Sequence, residues 1–181
     1  MRFRERKTDH PEAPQGGWLP VKTIRAVALD VDGVLTDATF TWQADGTESK
    51  TFSFRDVMGI SQARKAGIVF ALISGESTPF VDLFAHKMGI TDVHQGCKDK
   101  AAALTEFTLK YGFQFEEVCF VGDDINDLPA LALVGLPTTP ADAHPRVKQV
   151  ARYISQAAGG KGAVREILDH ILDGTLPAHN S

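Results

Sequence analysis

The feature that most constrains this chain is a repeated pattern: a short apolar run closes on a polar residue, and a segment of helical spacing follows. Residues 24–29 form an apolar, partly β-branched run that ends on Asp30. Residues 68–73 form a second run ending on Ser74, and residues 118–121 a third ending on Gly122 and Asp123. Runs of this length and composition read as buried strands. Between and after them, helices are expected over residues 56–66, 78–88, 99–111, 126–133 and 163–172. Their stops are legible too, with Gly67, Gly89 and Gly112 where a left-handed residue ends a helix. Weaker strands are expected at residues 92–94, 135–138 and 152–154. Strands alternating with helices predict one α/β domain, a three-layer Rossmann-like parallel sheet covered on both faces.

One segment breaks the alternation. Residues 38–42 and 50–54 carry threonines and aromatics in turn, with Ala44-Asp45-Gly46 between them. This predicts a β-hairpin projecting from the end of the first strand. Residues 1–20, rich in Pro, Gly and charge, are expected to be a loose arm, residues 21–175 the domain, and residues 176–181 a tail.

In open parallel sheets, ligands bind beyond the carboxyl ends of the strands. Asp30, Ser74 and Asp123 fall at those ends. Asp30-Val31-Asp32-Gly33 places two carboxylates one residue apart, and Asp123, Asp124 and Asp127 add three more. Acids that converge repel unless a hard cation joins them, and two carboxylates plus a substrate phosphate suit Mg2+. Asp124 is equally well read as a helix cap. A carboxylate such as Asp30, first past the strand, can act as a nucleophile and split phosphoryl transfer into two displacements. Asp32 can then protonate the leaving oxygen and later take a proton from water. Gly33 lets the chain turn tightly beside a phosphate. Fixed donors must hold the transferred oxygens: Ser74 supplies a hydroxyl, and Lys98 or Lys100 a cation.

Taken in order, Asp30-Val31-Asp32-Gly33-Val34, Ser74, Lys100 and Gly122-Asp123-Asp124 with Asp127 resemble the four motifs of the haloacid dehalogenase superfamily of phosphatases. The resemblance spans about residues 22–173. It implies Asp30 as nucleophile and Asp32 as general acid and base. It implies Mg2+ on Asp30, the Asp32 backbone carbonyl and Asp123, with Asp127 behind them, and it favours Lys100 over Lys98. Asp30 to Asp37, Ala141-Asp142-Ala143-His144-Pro145 and the glycine-rich Ala158-Gly159-Gly160-Lys161-Gly162 are similar to the capless branch of that superfamily. That branch acts on phosphates of 2-keto-3-deoxy sugar acids, octulosonate 8-phosphate first and nonulosonate 9-phosphate as the alternative. It implies a homotetramer whose subunits help close each other's sites. Gly75, Glu76 and Lys161 are the expected substrate contacts, and the glycine-rich segment is expected to be flexible. Glu76 and Lys87 resemble the nonulosonate group, while Phe84 stands where both groups carry arginine. Spacing with Phe80 and Met88 gives Phe84 a core role instead.

Other classes fit less well. A net charge of −4 gives no electrostatic footprint for nucleic acid. No apolar run approaches the roughly 20 residues of a membrane helix, and no secretory signal is expected. Cys97 and Cys119 have no metal or redox spacing, which fits a reducing cytoplasm. A phospho-acceptor switch would carry its acceptor aspartate on a later strand. A phosphatase-like module that only oligomerises would have lost the acids retained here.

Overall fold

The computed structural model describes residues 23–176. The expected arm, residues 1–20, and residues 177–181 of the expected tail lie outside the described residues. A six-stranded parallel sheet has the order β5-β4-β1-β6-β7-β8. Its strands are β1 (Ala26–Leu29), β4 (Val69–Ile73), β5 (Asp92–His94), β6 (Val118–Val121), β7 (Leu136–Thr139) and β8 (Tyr153–Ile154). A separate antiparallel pair, β2 (Thr41–Trp42) and β3 (Glu48–Ser49), forms the hairpin. The helices are α1 (Phe54–Lys65), α2 (Pro79–Met88), α3 (Lys100–Tyr111), α4 (Leu128–Leu131), α5 (Pro145–Val150) and α6 (Ala163–Asp173).

Strand periodicity divides the core in two. Val27, Leu29, Phe70 and Leu72 face one side and pack with Ile60, Phe84, Ile167 and Leu168 from α1, α2 and α6. Ala26, Ala28, Ala71 and Ile73 face the other, with Leu104, Phe107, Leu131 and Val147 from α3, α4 and α5. Side chains alternate across a strand, so a sheet covered on both faces must be apolar throughout. β1 is buried at every position for that reason. Burying each of the larger side chains, such as Leu29 or Phe70, stabilises the fold by about 1.5–3 kcal/mol before entropy is counted.

The hairpin exists but is shorter than its alternation suggests. Ala38 takes φ 57°, which breaks the first arm before Thr41. Thr41 pairs with Ser49 and Trp42 with Glu48, and the Trp42 indole donates to Glu48 (3.1 Å). Past Ser49 the chain leaves the ladder, so residues 50–54 are no strand. Lys50 turns to Asp32, Phe52 stacks on Phe84 (ring centroids 4.7 Å), and Phe54 begins α1. This stacking buries Phe84 in the core, as its helical spacing suggests. At the end of α3 the Tyr111 hydroxyl donates to Asp92 (2.5 Å), and the ring stays partly at the surface. Between β7 and β8 the chain forms α5, which reads in sequence as loop. His144 caps it by accepting from the Arg146 amide (3.2 Å), and Pro145 takes the first helical position, where a missing N–H costs nothing. Among the described residues, no helix is long and apolar enough to cross a membrane.

Candidate active site

Sheet register assembles the site. Leu29 pairs with Leu72 on one side and Val121 on the other, so the chain leaves three adjacent strands at nearly one level. Asp30, Ser74 and Asp123 therefore emerge together. Asp30 is tied to β6 by its amide, which donates to the Val121 carbonyl (2.9 Å). The Asp123 loop is held from beyond, where the His144 amide donates to the Asp123 carbonyl (2.8 Å).

Carboxylate oxygens of Asp30, Asp123 and Asp127 lie within 4.8 Å of one another. Lys100 enters from α3, whose first turn is fixed by Asp99 accepting from the Ala102 amide (3.0 Å). Only 2% exposed, Lys100 places its Nζ 2.9 Å from Asp30 Oδ1 and 2.6 Å from Asp127 Oδ1. Lys98, equal to it on spacing, stays exposed at the surface. Asp127 is fully committed. Its other oxygen accepts from the amides of Asp123 (2.9 Å) and Asp124 (3.1 Å), so it braces the loop that carries Asp123. Asp124 is exposed and caps the following 3₁₀ turn by accepting from Ile125 (2.7 Å), the cap reading of that residue.

Charge is unbalanced here. Burial first, then the charge of Asp127, raise Asp30 to about 6 despite Lys100. Burial, with Asp30 and Asp127 beside it, pushes Asp123 up to about 8. Burial also works against the Lys100 ammonium, but Asp30 and Asp127 outweigh it and its pKa is raised. Three carboxylates against one ammonium leave two negative charges, the complement of a dication. Asp123 Oδ1 is buried without a hydrogen-bond partner among the described residues. Such an atom is costly unless something binds it. A Cβ on Gly33 would fall 2.0 Å from Asp123 Oδ2, so glycine keeps the pocket beside that carboxylate open. An all-oxygen donor set of this charge fits Mg2+ or a related hard divalent cation.

Asp32 lies at the mouth, partly exposed. Its Oδ1 accepts from Thr36 Oγ1 (3.2 Å) and from Lys50 Nζ (2.9 Å). Lys50 also lies 3.5 Å from Glu76 and 4.0 Å from Glu48. Burial opposes its charge, but these carboxylates, Asp32 first, raise its pKa. Lys50 has no counterpart in the sequence reading, where its place in an alternating stretch marks it only as a strand residue. Ser74 is buried, and its hydroxyl accepts from the Glu76 amide (3.2 Å). Gly75 and Glu76 follow it in the exposed loop at the mouth. Lys161 pairs with Asp37 (3.0 Å), away from the buried acids, and Asp37 is held down to about 2 by Thr39 and then Lys161.

The glycine-rich segment differs from a loose tail. The Gly160 amide donates to the Val34 carbonyl (3.0 Å), and a Cβ on Gly159 would lie 1.9 Å from the Gly33 carbonyl oxygen. It packs backbone to backbone on the loop that carries Asp30 and Asp32. Asp56, buried at the start of α1, anchors its far end by accepting from the amides of Gly162 (3.2 Å) and Arg165 (2.8 Å). Spacing alone singles out neither Asp56 nor its reach across 109 residues to Arg165.

A parallel sheet without a large cap domain, with buried acids and a lysine at its carboxyl edge, defines a phosphatase of the haloacid dehalogenase type. The family of haloacid dehalogenase-like hydrolases matches residues 56–135. The 3-deoxy-D-manno-octulosonate 8-phosphate phosphatase KdsC of Escherichia coli (strain K12) is 40% identical over 151 residues, covering 83% of this chain and 80% of that protein. The Moraxella catarrhalis 3-deoxy-D-manno-octulosonate 8-phosphate phosphatase, solved with magnesium, phosphate and KDO, superposes with a TM-score of 0.83 at 35% identity. That match covers 86% of this chain and 90% of that one. The cobalt-bound Haemophilus influenzae enzyme also gives a TM-score of 0.83 at 35% identity, covering 86% and 91%. The chain therefore belongs to the haloacid dehalogenase superfamily, among the capless phosphatases related to these enzymes.

Proposed function

We propose that this protein hydrolyses 3-deoxy-D-manno-octulosonate 8-phosphate to the free sugar acid and inorganic phosphate. The observation that carries the reading is Asp30, buried, 2.9 Å from Lys100 and beside the unpartnered oxygen of Asp123, in a chain 40% identical to an enzyme of that name. Asp30 attacks phosphorus, forming a P–O bond as the bond to the sugar oxygen breaks. The departing electron pair takes a proton from Asp32. Water then attacks the aspartyl-phosphate, gives its proton to Asp32, and phosphate leaves. Lys100 keeps Asp30 aligned and balances its charge, and the Ser74 hydroxyl is the donor for a phosphoryl oxygen. Asp30, Asp123 and the Asp32 backbone carbonyl would hold Mg2+, with Asp127 behind them. When bound, the cation neutralises the carboxylates and the charge on the transferred group. Gly75 and Glu76 border the sugar, and Lys161 is the cation nearest the glycine-rich rim.

The test is phosphate release from octulosonate 8-phosphate with Mg2+. Asp30→Asn should lower kcat by at least about 10³-fold, since it removes the nucleophile. A parent protein that releases nothing from this ester or from a broad panel of sugar phosphates would sink the reading. Glu76 favours nonulosonate 9-phosphate as a second substrate, and assaying both esters side by side separates the two. We also read residues 21–175 as one domain and the protein as a cytoplasmic homotetramer. Free, unpaired cysteines support the compartment, and the exposed aromatics of the hairpin support assembly.

A further inference from the structure

Asp32 holds its side chain in an asymmetric way. Both of its hydrogen bonds fall on Oδ1, from Thr36 Oγ1 and Lys50 Nζ, and no donor among the described residues reaches Oδ2. A carboxylic acid donates from one oxygen and accepts on the other. Donors on Oδ1 therefore leave Oδ2 to carry the proton. Lys50 is well placed to impose this choice. Its side chain is 3% exposed although it lies at the base of an exposed hairpin. Its ammonium is fixed between Asp32 at 2.9 Å, Glu76 at 3.5 Å and Glu48 at 4.0 Å. Thr36 is the second donor on that oxygen: its hydroxyl accepts from the amides of Gly33 (3.4 Å) and Ala38 (3.3 Å), which turns its O–H toward Asp32.

We propose that Lys50 is a positioning residue for proton transfer, holding Asp32 by Oδ1 so that Oδ2 presents the proton to the leaving oxygen. The inference rests on the aspartyl-phosphatase reading, with Asp32 as general acid. Among the described residues Lys50 pairs with Asp32, Glu76 and Glu48 and not with the nucleophile Asp30. Its loss is therefore felt in proportion to how much the leaving oxygen needs a proton. A p-nitrophenolate leaves without one, a phenolate needs it more, and a sugar alkoxide most.

The experiment compares Lys50→Met, Lys50→Arg and the parent on p-nitrophenyl phosphate, phenyl phosphate and octulosonate 8-phosphate with saturating Mg2+. The quantity read is kcat/KM, which reports the steps through transfer to Asp30 and excludes later hydrolysis of the aspartyl-phosphate. Lys50→Met should lower the ratio of phenyl to p-nitrophenyl efficiency by about tenfold, a fraction of the 10²–10⁴ a general acid supplies. The sugar phosphate should lose more, and Lys50→Arg should restore most of the ratio. Equal losses on both aryl esters, or no loss on either, would overturn the positioning role while leaving the phosphatase reading intact. A parent inert on all three esters would overturn that reading and the role of Lys50 with it.

Discussion

Buried Asp30 and Asp127 and half-buried Asp123 sit together with Lys100 as their one buried cation among the described residues, and this sets how the protein answers to pH. Asp30 at about 6 and Asp123 at about 8 both lie above an ordinary carboxyl, so the metal-free folded state holds protons that the unfolded chain has released. Their contribution to stability is present in full below about pH 4. It is lost as pH rises through about 6 and then about 8. A bound dication relieves the same repulsion by displacing those protons. Thermal melts between pH 6 and 9 should show the chelated protein losing Tm as pH rises and the gain from Mg2+ growing over the same range. A gain that stays constant across that range would contradict this account. Lys100→Met removes the ammonium and strands the acids. Breaking a buried pair from one side costs about 3–5 kcal/mol, reduced here to the extent that Asp30 takes up a proton. Denaturant melts should show a lowered midpoint with an unchanged m-value. Asp30 and Asp123 were legible because each closes an apolar run, whereas spacing left Lys98 and Lys100 equal and the family resemblance separated them. Lys50 was not legible, because its partner Asp32 lies 18 residues away and nothing in an alternating stretch marks which polar residue turns inward.

Among the elements, the glycine-rich segment before α6 does what loop composition alone does not reveal. Glycine here serves close approach of two backbones. Gly159 abuts the Gly33 carbonyl, and Gly160 bonds Val34, so the segment braces the loop between Asp30 and Thr36 from behind. Gly159→Ala must move one backbone or the other. Overpacking of this kind costs about 1–3 kcal/mol, which in a protein of this size lowers Tm by about 5 °C. Since the displaced loop carries the acids of the site, kcat/KM should fall by more than about tenfold, beyond what the small loss of stability accounts for. A variant with parent Tm and parent activity would show that the loop tolerates the shift. The same contact explains a misreading, since glycine content suggests mobility when the partner backbone is 126 residues away in sequence. Helix α5 was hidden for a different reason. Its six residues are too few for a periodic stripe, and His144-Pro145 reads as a turn as readily as a cap followed by a first helical proline.

For the molecule as a whole, alternation of strand and helix made the layered sheet readable, but not the order β5-β4-β1-β6-β7-β8, which depends on crossovers that periodicity does not encode. The capless design also leaves large apolar side chains at the surface of the subunit. Phe40 and Trp42 stand 51% and 69% exposed on the hairpin with ring centroids 5.0 Å apart. Phe54 and Met58, at the start of α1, are also exposed, at 71% and 41%. Large aromatics add nothing to the core from these positions, and water around them is unfavourable by roughly 25 cal/mol per Å2. Burial against other copies of the chain removes that cost, which is the physical content of the proposed homotetramer. Changing Phe40 and Trp42 together to serine should then lower the sedimenting mass toward that of a protomer of 19.6 kDa. The circular dichroism of the sheet should be unchanged, because neither ring touches the core clusters. A parent that already sediments as a monomer at micromolar concentration would contradict the assembly, and a double variant that keeps the parent mass would move the interface away from the hairpin.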